Sequence, residues 1–331
     1  VELHDLWFGL IAVLFVGYFV LEGFDFGVGM LLPVLGRDNT GRRVLINTIG
    51  PVWDGNEVWV ITAGGAMFAA FPEWYATLFS GFYLPLLLIL AALIVRGVAF
   101  EYRGKRPEPV WQARWDKAIF FGSLIPAVLW GVVFGNIVRG VRLDAAHEYA
   151  GTQMDLLNPY ALLGGLTTLV LFVTHGAIFV ALKTTGDIRA RANRLAFRAG
   201  LGAGVVAVAF LAWTFAQRAS TLSVVFGVIA VLGLAAGLVA NRAGREGWAF
   251  VGTATAIALA VAALFAGLYP NVLPSTPAEA NSLTVTNASS TPYTLRIMSW
   301  VALVFTPLVL LYQGWTYWVF RKRLSPTHIP H

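Results

Sequence analysis

The chain has 331 residues, 58% of them hydrophobic and 12% charged, with a formal net charge of +6 and a mean hydropathy of +0.71. Soluble proteins carry about 25% charged residues, and a water-exposed domain this poor in charge would show too much apolar surface to stay dispersed. The composition excludes a soluble enzyme and points to a polytopic membrane protein. The basic excess lies in short loops between apolar runs, which argues against nucleic acid as a partner. Cysteine is absent, which rules out disulfides, thiolate metal sites, iron–sulfur clusters and c-type haem attachment.

A hydrocarbon core about 30 Å thick takes about 20 apolar residues per helix. In chain order the runs are 6–35, 50–70, 74–95, 118–138, 160–182, 199–216, 221–240, 248–268 and 293–320. They predict an all-α fold of nine transmembrane helices, with 1–331 as one integral membrane domain. The first run leads straight into a polar motif block, so no cleaved signal peptide is expected. Alternating the loops places 19 of the 23 basic residues on one side, in 36–49, 96–117, 183–198, 241–247 and the tail from Arg321. The other side holds Arg139, Arg142 and Arg218, and Arg296 falls inside the last run. Positive loops mark the cytoplasm, so the N-terminus is expected outside and the C-terminus inside. On this reading 96–117 and 183–198 are cytoplasmic loops, and 139–159 and 269–292 are outer loops too short for cores of their own. Trp111 and Trp115, set among charges in 100–117, read as an interfacial anchor or a docking element for a partner.

Ionisable residues inside a bilayer cost roughly 2.5–3.5 kcal/mol each on insertion scales and call for an explanation. The first run carries Glu22 and Asp25, the second Asp54 and Glu57. Each pair is spaced i, i+3 and so lies on one helix face. Counting at about 1.5 Å per residue, all four fall in the cytoplasmic half. Burial and mutual repulsion keep part of such a group protonated, which suits a proton relay. The alternatives are neutralisation by Arg42, Arg43 or a partner chain, and cation binding. Gly23 and Gly27, four apart, allow close approach of another helix, and Gly64 and Gly65 suggest the same. Pro51, just ahead of the second acid pair, suits the start of a helix.

Histidine bears on haem. His4, His328 and His331 are terminal and His147 lies in an outer loop, so only His175 is inside a run. Membrane haems need axial His or Met ligands, and one interior histidine cannot support several haems. His175 reads as an interior polar residue, as part of a proton or quinone site, or as a ligand. Met30, Met67 and Met298 read as core filler. There is no P-loop, dinucleotide fingerprint or HExxH motif.

The stretches "EGFDFGVGMLLP", "PVWDGNEVWVITAGGAMFAAFPEWYATLFSGFYLPLLLIL", "RGVAFEYRGK", "WDKAIFFGSLIPAVLWGVVFGNIVRG", "LLNPYALLGGL" and "NASSTPYTLRIMSWVALVFTPLVLLYQGWTYWVF" resemble subunit II of the cytochrome bd-type quinol oxidases. Over 199–268 the likeness is one of hydropathy alone. The resemblance implies a complex of the bacterial cytoplasmic membrane that oxidises quinol and reduces oxygen to water with protons from the cytoplasm. It implies that haem b and haem d are ligated by a sister subunit I, with this chain as its pseudosymmetric partner, and it allows small single-span accessory subunits. Asp25 and Asp54 match acidic positions implicated in proton delivery. Trp53, Asn56 and Trp59 match the surrounding motif, with Trp59 also a candidate for oxygen access. Glu22 and Glu57 complete the expected proton pathway, and a quinone or lipid bound in a lateral apolar groove is allowed. The competing readings are a proton-coupled secondary transporter, which lacks the expected matched, interrupted helices in two halves, and a scaffold protein, which would not require clustered acids.

Overall fold

The computed structural model describes residues 2–325 and Thr327; His328 and His331 lie outside the described residues. Eleven α-helices account for most of the chain: α1 (Leu3–Leu35), α2 (Asn39–Ile49), α3 (Trp53–Ala70), α4 (Pro72–Gly81), α5 (Tyr83–Tyr102), α6 (Pro109–Arg139), α7 (Pro159–Lys183), α8 (Gly186–Gln217), α9 (Thr221–Arg242), α10 (Glu246–Leu268) and α11 (Pro292–Val319). Among the described residues, eight helices are long and apolar enough to cross a membrane: α1 and α5 to α11. The second expected span corresponds to α3, whose apolar character is diluted by Asp54, Asn56 and Glu57 in its first turns.

The run expected as one span over 74–95 is broken. Pro85 falls in the first turn of α5, where its missing N–H is tolerated, but it cannot donate to Gly81 and so cannot extend α4. The orphaned Gly81 carbonyl is taken by Gln153 Nε2 at 2.8 Å. After the break, α5 runs on to Tyr102 and carries Arg96 inside it, fully buried. Arg96 therefore does not belong to a cytoplasmic loop starting at residue 96, and the remaining basic asymmetry stands without it. The stretch 183–198 is likewise helix from Gly186 onward, because its arginines extend α8 rather than interrupt it. The connection 36–49 contains α2, capped by Asp38, whose side chain accepts from Gly41 N.

The core is aromatic and tightly crossed. Phe15, Phe19, Trp130, Phe134 and Phe265 pack in edge and tilted pairs, geometries favoured by the ring quadrupoles. Gly27 meets Gly176 where α1 crosses α7, and a Cβ on Gly27 would strike the Phe172 carbonyl. Gly64 and Gly65 have open space around them within the chain, so their approach surface faces outward.

Residues 139–159 and 269–292 make one shared cap. Strands β1 (Asn271–Leu273) and β2 (Leu283–Thr284) pair antiparallel, and Val141 joins them through Val141 N to Pro274 O at 3.0 Å and Thr276 N to Val141 O at 2.9 Å. Neither segment could satisfy its backbone alone. Together they do.

Helix α11 is attached differently. Of its residues only Leu295 is fully buried, while Trp300, Leu303, Phe305, Leu308, Leu311 and Trp315 are exposed. It is tethered at one end by Trp7 Nε1, which donates to Leu295 O and Ser299 Oγ, and at the other through the candidate site.

Candidate functional site

Three helices build the site. Glu22 and Asp25 lie on the inner face of α1 with no exposed surface. Asn56, also fully buried, and Glu57, partly buried, come from the first two turns of α3, where carboxylates are favoured by the helix dipole. The Arg96 guanidinium enters from α5, and α6 crosses α5 closely at the root of this side chain because residue 122 is glycine: a Cβ there would collide with Arg96 Cβ and the Ala92 carbonyl.

Arg96 Nη2 donates to Glu22 Oε1 and stands 3.9 Å from Glu57 Oε1. Its guanidinium carbon lies 4.7 Å from the centre of the Phe26 ring and 5.7 Å from that of Phe100, contacts that lower the cost of burying a cation. Neutralisation of the acids thus comes from Arg96, while Arg42 is engaged with Asp116 at 2.9 Å. Asp25 accepts at Oδ2 from Asn56 Nδ2 at 2.6 Å. Five buried polar atoms of this group have no hydrogen-bond partner in the chain: Glu22 Oε2, Asp25 Oδ1, Glu57 Oε1, Arg96 Nε and Arg96 Nη1. Buried polar atoms are rarely left so, and here they gather on three carboxyls and their arginine; among the described residues Arg191 is the other charged side chain with such atoms, at Nε and Nη1.

Asp54 is placed differently from its three companions. It is exposed, one turn before Glu57, and its Oδ1 accepts from Gly55 N at 2.8 Å. The structure therefore brings Glu22, Asp25 and Glu57 together and leaves Asp54 at the rim. Trp53 packs on Phe100, with ring centres 5.1 Å apart. Trp59 donates from Nε1 to Gln313 Oε1 at 2.9 Å, and its ring fills the space left by the absent side chain of Gly17.

His175 is not part of this group. It lies beyond the α1 backbone, fully buried, with Nε2 3.2 Å from Val20 O and Nδ1 2.7 Å from Thr253 Oγ1, stacked on Phe250. A backbone carbonyl can only accept, so Nε2 carries the hydrogen and Nδ1 accepts from Thr253. Both ring nitrogens thus have polar neighbours within the chain. Met30 and Met67 are buried in the apolar core.

Three participants escaped the sequence reading. Arg96 was hidden by ending the apolar run at residue 95, although "GVAF" continues it to Phe100. Gln313 and Tyr317 sit in the last apolar run, where a lone polar residue gives no sign of its partner. Both hydrogen-bond to Asn56 Oδ1, at 3.3 Å and 2.6 Å.

A bundle of apolar helices that encloses an arginine among three carboxyls defines a multi-pass membrane protein with a buried charged cluster. Residues 3–320 match the family described as cytochrome bd terminal oxidase subunit II. The chain is 46% identical over 332 residues to the cytochrome bd ubiquinol oxidase subunit 2 of Bacillus subtilis, covering 98% of this chain and 97% of that one. It is 36% identical over 365 residues to the cytochrome bd-I ubiquinol oxidase subunit 2 of Escherichia coli K12, covering 99% and 96%. A solved bd oxidase chain from Geobacillus thermodenitrificans shares the fold, with a TM-score of 0.75 at 18% identity over 95% of this chain and 98% of the other. The chain belongs to the cytochrome bd terminal oxidase subunit II family.

Proposed function

We propose that the chain is the subunit of a bacterial cytoplasmic-membrane quinol oxidase that ligates no haem, and that it passes cytoplasmic protons toward oxygen reduction in a haem-bearing subunit I. Haem b and haem d, held by that partner, supply the electron transfer and oxygen chemistry. The observation that carries the proposal is the enclosed group of Glu22, Asp25, Glu57 and Arg96, with its unpartnered atoms, leading out to exposed Asp54.

Three carboxyls facing one guanidinium avoid uncompensated charge in a low dielectric only by sharing protons. Asp54 at the rim receives a proton from the cytoplasm. Glu57, one turn on, stands between Asp54 and Arg96. Asp25, reached through the same enclosed space, passes the proton toward the partner. Ordered water in the site would satisfy the unpartnered atoms and link the carboxyls. Nine spans, counting α3, with the N-terminus outside and the C-terminus inside, put the site at the cytoplasmic end. The exposed acid of α3 and the apolar face of α11 suit a protein partner better than lipid, since a lipid-facing carboxylate is costly. Small accessory subunits fit the remaining apolar surface. A groove of about 510 Å³ among α7, α8, α9 and α10, lined by Leu171, Gly204, Leu211, Leu234 and Ala256, suits a lipid acyl chain or a quinone tail.

The test is Asp54→Asn and Asp25→Asn in the purified complex. An amide keeps the size and much of the hydrogen bonding but cannot carry the proton. Both variants are expected to lower quinol oxidase turnover with haem content intact. Normal turnover with normal haem in both would overturn the proton route.

A further inference from the structure

We propose that Trp59, Gln313 and Tyr317 are positioning residues that fix Asn56 as a one-way donor to Asp25 and so confine the exchangeable proton of Asp25 to Oδ1. The proposal rests on the reading of Asp25 as a proton carrier, but the polarity of the relay follows from geometry alone.

An indole N–H can only donate. Trp59 Nε1 reaches Gln313 at 2.9 Å, so the Gln313 carboxamide must turn its oxygen to Trp59 and its nitrogen away. That nitrogen faces Asn56 at 3.3 Å and can only donate, so the Asn56 atom it meets is Oδ1. The Tyr317 hydroxyl donates to the same oxygen at 2.6 Å. With Oδ1 held by two donors from α11, Asn56 Nδ2 points at α1, where it donates to Asp25 Oδ2 at 2.6 Å and lies 3.5 Å from Leu21 O. The reversed amide would set nitrogen against nitrogen at Gln313 and oxygen against the Asp25 carboxyl. The network thus excludes the flip that an isolated asparagine would allow.

Asp25 inherits this polarity. Oδ2 faces an amide hydrogen in either ionisation state, so a proton placed there would take that oxygen's remaining lone pair and weaken it as an acceptor for Asn56. Oδ1 is buried with no protein partner, like the unpartnered atoms of Glu22, Glu57 and Arg96. The proton arrives at Oδ1 and leaves from Oδ1, while Oδ2 stays an acceptor throughout. Helix α11 has only Leu295 fully buried; these bonds are how it contributes to a site built by α1, α3 and α5.

The experiment is infrared difference spectroscopy on the assembled, haem-loaded complex. The Asp25 carboxyl or carboxylate stretch is identified as the signal lost in Asp25→Asn. Tyr317→Phe removes one hydroxyl and keeps the ring; Gln313→Met keeps the length and removes both hydrogen bonds. The Asp25 signal is expected to shift in both variants at unchanged haem content, with turnover about three- to tenfold lower, the range one lost hydrogen bond gives. An Asp25 signal at its wild-type position in both variants would overturn the relay. If Tyr317→Phe fails to assemble, Gln313→Met decides alone. Full turnover in Asp25→Asn would defeat the proton route but leave a shifted signal in Tyr317→Phe as support for the relay.

Discussion

Two kinds of buried carboxylate occur in this chain. Glu246, at the start of α10, is 3% exposed and fully engaged: Oε1 accepts from Arg189 Nε at 2.7 Å and Asn193 Nδ2 at 3.0 Å, and Oε2 from Arg323 Nη2 at 3.3 Å. Asp116 is held in the same way by Arg42 and Arg103. Glu22 and Glu57, by contrast, share one guanidinium, Asp25 is bonded to Asn56, and each of the three keeps a carboxylate oxygen without a hydrogen-bond partner. A saturated carboxylate gains nothing by taking up a proton, since protonation sacrifices an acceptor already in use. An unsaturated one has an oxygen free to take the proton. On the proposed proton route, saturation is what separates the charged groups that tie helices together from those that exchange protons.

Removing Arg96 should have the largest effect. Arg96→Met leaves three enclosed carboxyls without their cation, and breaking a buried pair costs about 3–5 kcal/mol. The expected outcome is loss of assembled complex, read by membrane content and haem absorbance; normal assembly would show that the cation is dispensable. Glu57→Gln should come next, because Glu57 lies between Asp54 and the enclosed group. Turnover is expected to fall about a hundredfold, at the low end of what a positioned proton-transfer group supplies, with haem content unchanged. Glu246→Gln should do the reverse. It weakens charge-assisted bonds to Arg189 and Arg323, costs about 1–3 kcal/mol, and lowers the unfolding temperature while turnover per haem stays at the wild-type value. A loss of turnover there would break the distinction between the two groups.

The smallest effect belongs to the cap shared by 139–159 and 269–292. The Thr152 backbone N–H, 2.8 Å from Asp155 Oδ2, holds the Asp155 carboxyl below its usual range, with Arg142 adding to the effect. Because the folded form gives up this proton more readily than the unfolded one, the stabilisation is complete above about pH 4 and is lost as acid protonates the group below that. Asp155→Ala should therefore lower the unfolding temperature slightly at neutral pH, and the difference from wild type should vanish in acid. A difference that persists once acid has protonated the group in both the folded and the unfolded chain would place its origin outside this ionisation.

Much of this was legible in the residues. The i, i+3 spacing of Glu22 with Asp25 put both on one face, and the structure encloses that face. The crossing at Gly23 and Gly27 followed from small residues four apart. Arg96 was not legible, because an arginine after an apolar run looks like the start of a loop, and only its pairing with Glu22, 74 positions away, reveals it as buried. The split of α4 from α5 could have been read from Pro85, but the hydropathy of the surrounding residues masks it. Gln313 meets Asn56 across 257 positions, and no local pattern announces such a contact. The joint cap escaped for a similar reason: each segment alone is too short to fold, and the pairing of Val141 with Ser275 belongs to neither.

The central claim is that the unsaturated carboxylates carry protons and the saturated ones do not. It is tested most directly by timing cytoplasmic-side proton uptake with a pH-sensitive dye during a single oxygen-reducing turnover of the complex, comparing Asp25→Asn with Glu246→Gln at equal haem content. Slowed uptake in Asp25→Asn and wild-type uptake in Glu246→Gln is the predicted result; uptake at the wild-type rate in Asp25→Asn would contradict it.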